Sequence, residues 1–570
     1  TLSASTPDAL AINANVTATG GNGNIALNGG GNITQAAGTT VSTVGTGGIS
    51  YTASGAGATI TMAAATSVAT TADGVAGGTV MMTAPGDITI GTVSSDGSFV
   101  TGRMTLTSTD GAVTSLAGGG VFGGQANVQG TAINLSGTLG ALEANATGTG
   151  GDIDYVDTGG GVTINNTSTV DGSVTVNAAG NLIAQDVTAN SAGSANDISL
   201  TSTGSNIDVY DVEATGTGDV TLTALAGAIL DGTMITEPAG SNPLGDITGD
   251  VVTLTAGSGI GTVIANGNNA LEVQANTLSA SSATGDIAVN VAGTGSYEGG
   301  TNTLRITGLN VTTGAGNILI ADQVGDGITT NLVIDDDGGA GGNGTAGVVT
   351  TANGNIEFRT PGDIDIREDV VASSPTGGAV TVLADGTAQL RDNVTVESVD
   401  SDGVPDGIGD GAIRFAEFTA GGDRMEMFDS TISSEISTDG TTTIAADTVA
   451  ERFVRNGSAD DDFEQDILLL GGARAVDGDY IRFAGDRIEL DEVVVEGAHG
   501  VDGAERQRIL HIEAERRRGG GDDQRPRPVL SQGAPGQARC KRHGAGGSVK
   551  LDELAARRMK GRDDRQRHED

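Results

Sequence analysis

The residues whose types and spacing could do chemistry are carboxylates. Asp400, Asp402, Asp406 and Asp410 stand two to four positions apart in DSDGVPDGIGD. Carboxylates so spaced in a glycine-rich loop can wrap a hard cation such as Ca2+ with oxygen ligands alone, which makes these four the candidate metal ligands. The plainer reading is a solvated acidic loop whose Asp and Gly residues make turns. DDDGGAGGNG at 335–344 lacks the aspartate and the apolar residue that a nonapeptide calcium repeat needs, and reads as a flexible turn. Asp460, Asp461, Asp462 and Asp466 read as a solvated acidic loop. A different chemistry, cleavage of an acidic polysaccharide, would use carboxylates such as Asp363 and Asp365 with Arg367 nearby.

Little else in the chain is reactive. There is no G-x-x-x-x-G-K-[ST], H-E-x-x-H, G-x-S-x-G or C-x-x-C, and no His before residue 499. The usual general base and the commonest metal ligand are therefore missing from most of the chain. A polysaccharide-cleaving enzyme also needs cations for uronates and aromatic platforms for sugar rings. The first 300 residues offer one Arg, no Lys and no Trp. The expectation is a protein that is not an enzyme and needs no cofactor beyond possible Ca2+.

The elements that would carry these residues are written as one recurring phrase. It reads GNIAL at 23–27, GDITI at 86–90, GDVTL at 218–222, GDIAV at 285–289 and GDIDI at 362–366, with GSVTV, GNILI and GAVTV as variants. Branched apolar residues alternate with threonine or another small residue, so one face of a short strand is apolar. The preceding Gly-Asn or Gly-Asp is expected to supply a corner of positive φ. A four- to six-residue strand cannot bury that face alone, but it can when stacked on copies of itself. Val174, Ile198, Val220 and Ile247 mark successive strands 24, 22 and 27 positions apart, and Leu182, Ile207 and Ile229 mark a second series. The predicted fold is all-β: an elongated right-handed parallel β-helix, or β-solenoid. Each coil has two or three strands and about 24 residues, which gives roughly 20 coils over residues 1–503.

Charge divides the chain into three. Residues 1–300 hold one basic and 23 acidic residues, 301–503 hold 11 and 38, and 504–570 hold 17 and 11. The first two parts are read as low-charge and acidic stretches of solenoid. A net charge of −43 excludes nucleic acid as a partner of the main body, because phosphate recognition needs clustered Lys and Arg. The tail from 504 lacks the glycine-corner phrase and shifts abruptly to Arg, Gly, Pro, Gln and His. It is read first as out-of-frame sequence from a GC-rich gene, then as a disordered segment, then as a functional basic tail. Helix formers at 504–518 suit a partly helical variant of that tail. With no initiator Met, signal peptide or apolar stretch long enough to span a bilayer, the sequence is expected to be a fragment of a longer exported protein.

Threonine ladders are a further candidate. T-x-T occurs at 105–107, 221–223 and 253–255, and a flat array of such hydroxyls can organise water. An ice-binding surface needs near-identical coils, and the uneven spacing argues against it. Outward Thr is also simply a good strand residue.

GNIALNGGGNITQAAGTTV, PGDITIGTV and GDVTLTALAGAILDGT carry a resemblance. They resemble the repeat region of filamentous-haemagglutinin-like exoproteins and large autotransporter adhesins of Gram-negative bacteria, over roughly residues 10–500. The resemblance implies a secreted or outer-membrane-associated surface stalk used for adhesion, aggregation or biofilm formation. Implied partners are a host-cell or abiotic surface, carbohydrate or other adhesin copies, with an outer-membrane transporter or a C-terminal barrel for export. The sequence departs from well-known members in lacking an export domain and an RGD tripeptide. The loop at 400–410 is similar to the calcium loops of thrombospondin type 3 repeats. It fails the EF-hand pattern, since Gly411 stands where a bidentate Glu is needed.

Overall fold

The computed structural model describes residues 1–71, 77–95, 103–191, 195–232, 246–262, 270–292, 302–322, 329–336, 349–374, 378–391 and 394–399, with the backbone of separate strands between 412 and 543. The chain divides into two compact units: Thr1–Thr294 with Gln323–Asp326, and Gly295–Asp322 with Gly327–Asp570. The fold is an all-β parallel solenoid of about 14 turns. The described residues contain no helix, and so none long and apolar enough to cross a membrane.

Winding follows from which apolar faces can cover each other. In the first unit Val174 pairs with Ile198, Ile198 with Val220 and Val220 with Val252. Leu182, Ile207 and Ile229 make a second column, and Val187, Val212 and Ile247 a third. The coil here has three strands. One expected step is corrected: Ile247 continues the column of Val212, whereas Val220 is covered by Val252, 32 positions on. Even spacing picked the wrong branched residue because this coil is longer than its neighbours. Ile318 likewise pairs with Ile356, 38 positions on. Long coils of this kind, and the end of parallel pairing at Arg452–Phe453, give about 14 turns where uniform 24-residue coils over residues 1–503 gave roughly 20.

The interior is a set of aliphatic stacks. In Val220–Ala224 the side chains of Val220, Leu222 and Ala224 are buried while Thr221 and Thr223 face outward. Leu200, Leu222 and Leu254 lie one above another. Each such side chain removed from water contributes about 1.5–3 kcal/mol, and only adjacent coils supply the covering surface. Some buried polar groups find partners within the interior, while Tyr155 Oη, Asp157 Oδ1 and Thr167 Oγ1 have none. The Tyr51 hydroxyl donates to Gln35 Oε1 at 2.9 Å, and Gln35 Nε2 donates to the carbonyls of Thr39 and Ser67 at 3.0 and 3.2 Å. Burial pushes the Tyr51 phenol up, which keeps it a donor.

The corner phrase works differently from the expectation. Gly285 alone among its glycines takes a positive φ, +81°, while Gly23, Gly86, Gly172, Gly218, Gly362 and Gly378 do not. For Gly86, Gly172, Gly218, Gly362 and Gly378 the requirement is close approach of the neighbouring coil. A Cβ on Gly378 would sit 2.4 Å from the carbonyl oxygen of Gly354, and one on Gly354 2.0 Å from that of Gly316. The following Asn or Asp then satisfies the coil above. Asn24 Oδ1 accepts the Gly48 N–H at 2.8 Å, Asp87 Oδ1 that of Ala112 at 2.8 Å, and Asn355 Oδ1 that of Ala379 at 2.8 Å. These bonds occupy corner donors that no strand partner reaches. Burial pushes the carboxyls of Asp219 and Asp369 upward, although each accepts a backbone N–H.

In the second unit Ile356–Thr360 pairs in register with Val380–Ala384, and parallel pairing reaches Arg452–Phe453. The pairing then turns antiparallel: Thr443–Ala446 meets Ala473–Ala475, which meets Arg487–Glu496, which meets Arg506–Glu515. The helix-forming span at 504–518 thus carries a strand, with Arg487 opposite Glu515 and Glu496 opposite Arg506.

Candidate functional site: buried charges between the coils

Buried Asp157, Asp171, Asp231 and Asp246 lie in the first unit, and a paired network of buried charges lies in the second. Val333 pairs with Asp365, and Asp365 with Gln389. At the next corner the Arg367 N–H donates to the Ile334 carbonyl at 3.0 Å, and the Arg391 N–H to the Ile366 carbonyl at 2.9 Å. That register stacks Asp335, Arg367 and Arg391 coil over coil. Arg367 reaches Asp335 Oδ2 at 3.1 Å and Asp365 Oδ2 at 3.0 Å. Arg391 holds Asp365 with two bonds, 2.6 Å from Nε to Oδ1 and 2.8 Å from Nη2 to Oδ2. From below, Arg305 Nε donates to the Asp335 carbonyl at 2.9 Å, and its Nη2 lies 3.7 Å from Asp335 Oδ1. The result is an alternating ladder, Arg305–Asp335–Arg367–Asp365–Arg391. Asp335 is 0 % exposed, Arg367 4 % and Asp365 9 %. Charges this deep are tolerated only when paired and hydrogen-bonded, and the two-bond fork of arginine suits that role better than lysine.

The sequence candidates fall as follows. Asp365 occupies the middle of Ile364–Ile366, an outward position by strict alternation, yet all three residues are buried. The two guanidinium groups cover it. Asp363 lies at the corner, where its Oδ1 accepts the Thr387 N–H at 2.7 Å. The pair considered for polysaccharide chemistry, Asp363 and Asp365, is therefore engaged in coil stacking. The segment read as a flexible turn contributes Asp335 to the ladder, while 337–344 lie outside the described residues. Asp400, Asp402, Asp406 and Asp410 also lie outside them, as do Asp460, Asp461, Asp462 and Asp466. Sequence reasoning missed the ladder. Its signal was Arg305, Arg367 and Arg391, after 300 residues with a single Arg.

Among the described residues, two clusters of carboxylates have donor sets that could accept a metal. Asp335, Asp336 and Glu368 each offer an oxygen within 4.8 Å of the others, beside the ladder. In the first unit Asp231, Asp246 and Glu272 do the same. Both are all-oxygen sets, the kind that suits Ca2+ or Mg2+. Asp246 is 2 % exposed and its Oδ2 accepts the Glu272 N–H at 3.3 Å. Burial pushes its carboxyl up to about 10, aided by hydrogen bonding and repulsion from Glu272 and repulsion from Asp231. A proton held on Asp246 thus relieves its crowding by the two neighbouring acids. No protein-family model matches the chain, and neither the curated proteins nor the solved structures contain a match.

Proposed function

We propose that this chain is the structural and adhesive stalk of a large bacterial exoprotein, secreted or held at the outer surface of the cell. Its role there is to present surface for attachment, aggregation or biofilm formation. The observation that carries the reading is where the polar chemistry goes. Corner Asn and Asp side chains bond the next coil, and the Arg–Asp ladder joins successive coils through groups that are themselves buried. Side chains of catalytic type are thus committed to stacking, which suits a scaffold better than an enzyme. The strongly acidic balance favours partners other than nucleic acid or anionic lipid: a host-cell or abiotic surface, carbohydrate, or further copies of the chain. An outer-membrane transporter or a C-terminal barrel would export it. Ca2+ at Asp400, Asp402, Asp406 and Asp410 would serve as a bridge between copies or to an acidic polymer.

The test is attachment of beads coated with the purified chain to abiotic and glycan surfaces, with self-association followed by light scattering. Retention above uncoated beads, with no sugar released from acidic polysaccharides, is the expected result. Release of reducing or unsaturated sugars without retention refutes the stalk. Retention abolished by EDTA and restored by Ca2+, but not in an Asp402→Asn/Asp406→Asn variant, assigns the calcium bridge.

A further inference from the structure

The first unit carries an outward rank of small polar residues that the uneven coil lengths concealed. Thr34 pairs with Thr61, Thr61 with Thr89, and Thr89 with Thr114. Asn134 and Asp154 follow, and then Thr175, Ser199, Thr221, Thr253 and Ser279 in unbroken succession. From Thr175 upward a second rank runs beside the first, two residues along each strand: Asn177, Thr201, Thr223, Thr255 and Ser281. Separations between these coils vary from 22 to 32 positions, yet the strands stay in register. The expectation that uneven spacing spoils a regular hydroxyl face is therefore corrected.

We propose that this face binds ordered water at the surface of ice. Alternate residues of a strand lie about 6.6 Å apart and stacked strands about 4.8 Å apart, so the two ranks form a near-rectangular grid. Thr is stiff at χ1, which fixes each hydroxyl and its methyl. No residue of the two ranks from Thr175 to Ser281 is charged, and the flanking corner carboxylates Asp197 and Asp219 each have one oxygen held by a backbone N–H of the next coil, at 3.0 and 3.1 Å. Some outward hydroxyls elsewhere are tied to each other between coils, as Ser67 to Thr40 at 3.0 Å and Thr138 to Thr158 at 3.3 Å. Among the described residues, Ser199, Thr201, Thr221, Thr223, Thr253 and Thr255 have no such partner, and their hydroxyls are available to water. The T-x-T of 105–107 is different: Thr105 and Thr107 stack between Met81 and Thr83 on one side and Asn127 and Gln129 on the other. No aromatic residue stands in the ranks to stack on a sugar ring, which favours water over polysaccharide as the occupant.

The test uses the full chain in ice-affinity partitioning and in measurement of thermal hysteresis and ice recrystallisation. The expected result is enrichment in the ice fraction with slowed recrystallisation. Thr223→Lys and Thr221→Lys should reduce both to the level of an inert protein, while Thr107→Lys, on the other face, leaves them unchanged. Thr253→Val, which keeps the shape and removes one hydroxyl, should weaken both in part. Far-UV circular dichroism confirms that each variant retains its strands. Exclusion of the chain from ice overturns the proposal, as does equal loss in Thr107→Lys. Retention on insoluble cellulose or chitin without ice enrichment overturns it in favour of a polysaccharide occupant.

Discussion

Removal of the central cation of the ladder is the sharpest test of why the second unit holds together. In Arg367→Met, Asp335 loses its 3.1 Å partner and keeps the Arg305 guanidinium at 3.7 Å. Asp365 loses one partner but retains both bonds to Arg391. Taking one member from a buried pair costs about 3–5 kcal/mol. Partial cover by Arg305 and Arg391 places this case at the lower end, about 3 kcal/mol. Arg359→Met is the matched control. Arg359 meets Glu357 at 2.5 Å, but their side chains are 39 % and 29 % exposed, so the pair contributes at most about 1 kcal/mol. The difference of about 2 kcal/mol is roughly a thirtyfold change in a local opening constant. Native-state hydrogen exchange is the right assay, because stacked coils open locally and a single global midpoint averages over them. The reporters are the amides of Asp335, Arg367 and Arg391, each bonded to the coil below. Equal acceleration in the two variants refutes the reasoning, and slower exchange in Arg367→Met refutes it more strongly.

Three further outcomes follow from the packing. Gly378→Ala places a Cβ 2.4 Å from a backbone oxygen and should destabilise by about 1–3 kcal/mol, whereas Gly160→Ala, with nothing within 4 Å, should be neutral in the same thermal melt. Leu222→Ala empties a position buried between two coils and should lower stability by about 2–5 kcal/mol in urea unfolding. Asp246→Asn tests the crowded acids. Its carboxyl is raised in the folded chain, so the native state holds a proton that the unfolded chain releases above about pH 4. The wild type should therefore lose stability as pH rises toward about 10, and the Asn variant should lack that slope. Melts at pH 5 and pH 9 check it: a stabilisation by Asn no larger at pH 9 than at pH 5 would contradict the assignment.

The strand phrase needed nothing beyond local chemistry to be read. Val-Thr-Leu-Thr alternation in 220–223 states which face is apolar, and the Gly-Asp before it states where the strand begins. The steps from Val174 to Ile198 to Val220, and from Leu182 to Ile207 to Ile229, could be counted because those coils are nearly equal in length. Where a coil lengthens, counting fails, as Ile247 shows, because any branched residue near the expected distance fits the pattern. The glycine corners were recognised for the wrong reason. Close approach between coils is a property of two segments, and one segment cannot reveal it.

The sequence by itself thus determined the alternation, the winding into stacked parallel strands and the acidic character of the chain, all of which depend on neighbours along the backbone. Only the tertiary structure decided that Asp365 and Arg367 turn inward, that Asp246 shares space with Asp231 and Glu272, and that Thr221 and Thr223 belong to a regular grid. The physical reason is common to all three. Burial, pKa and the order of a surface depend on what lies one coil away, and that distance in sequence varies from 22 to 32 positions in the first unit's grid alone.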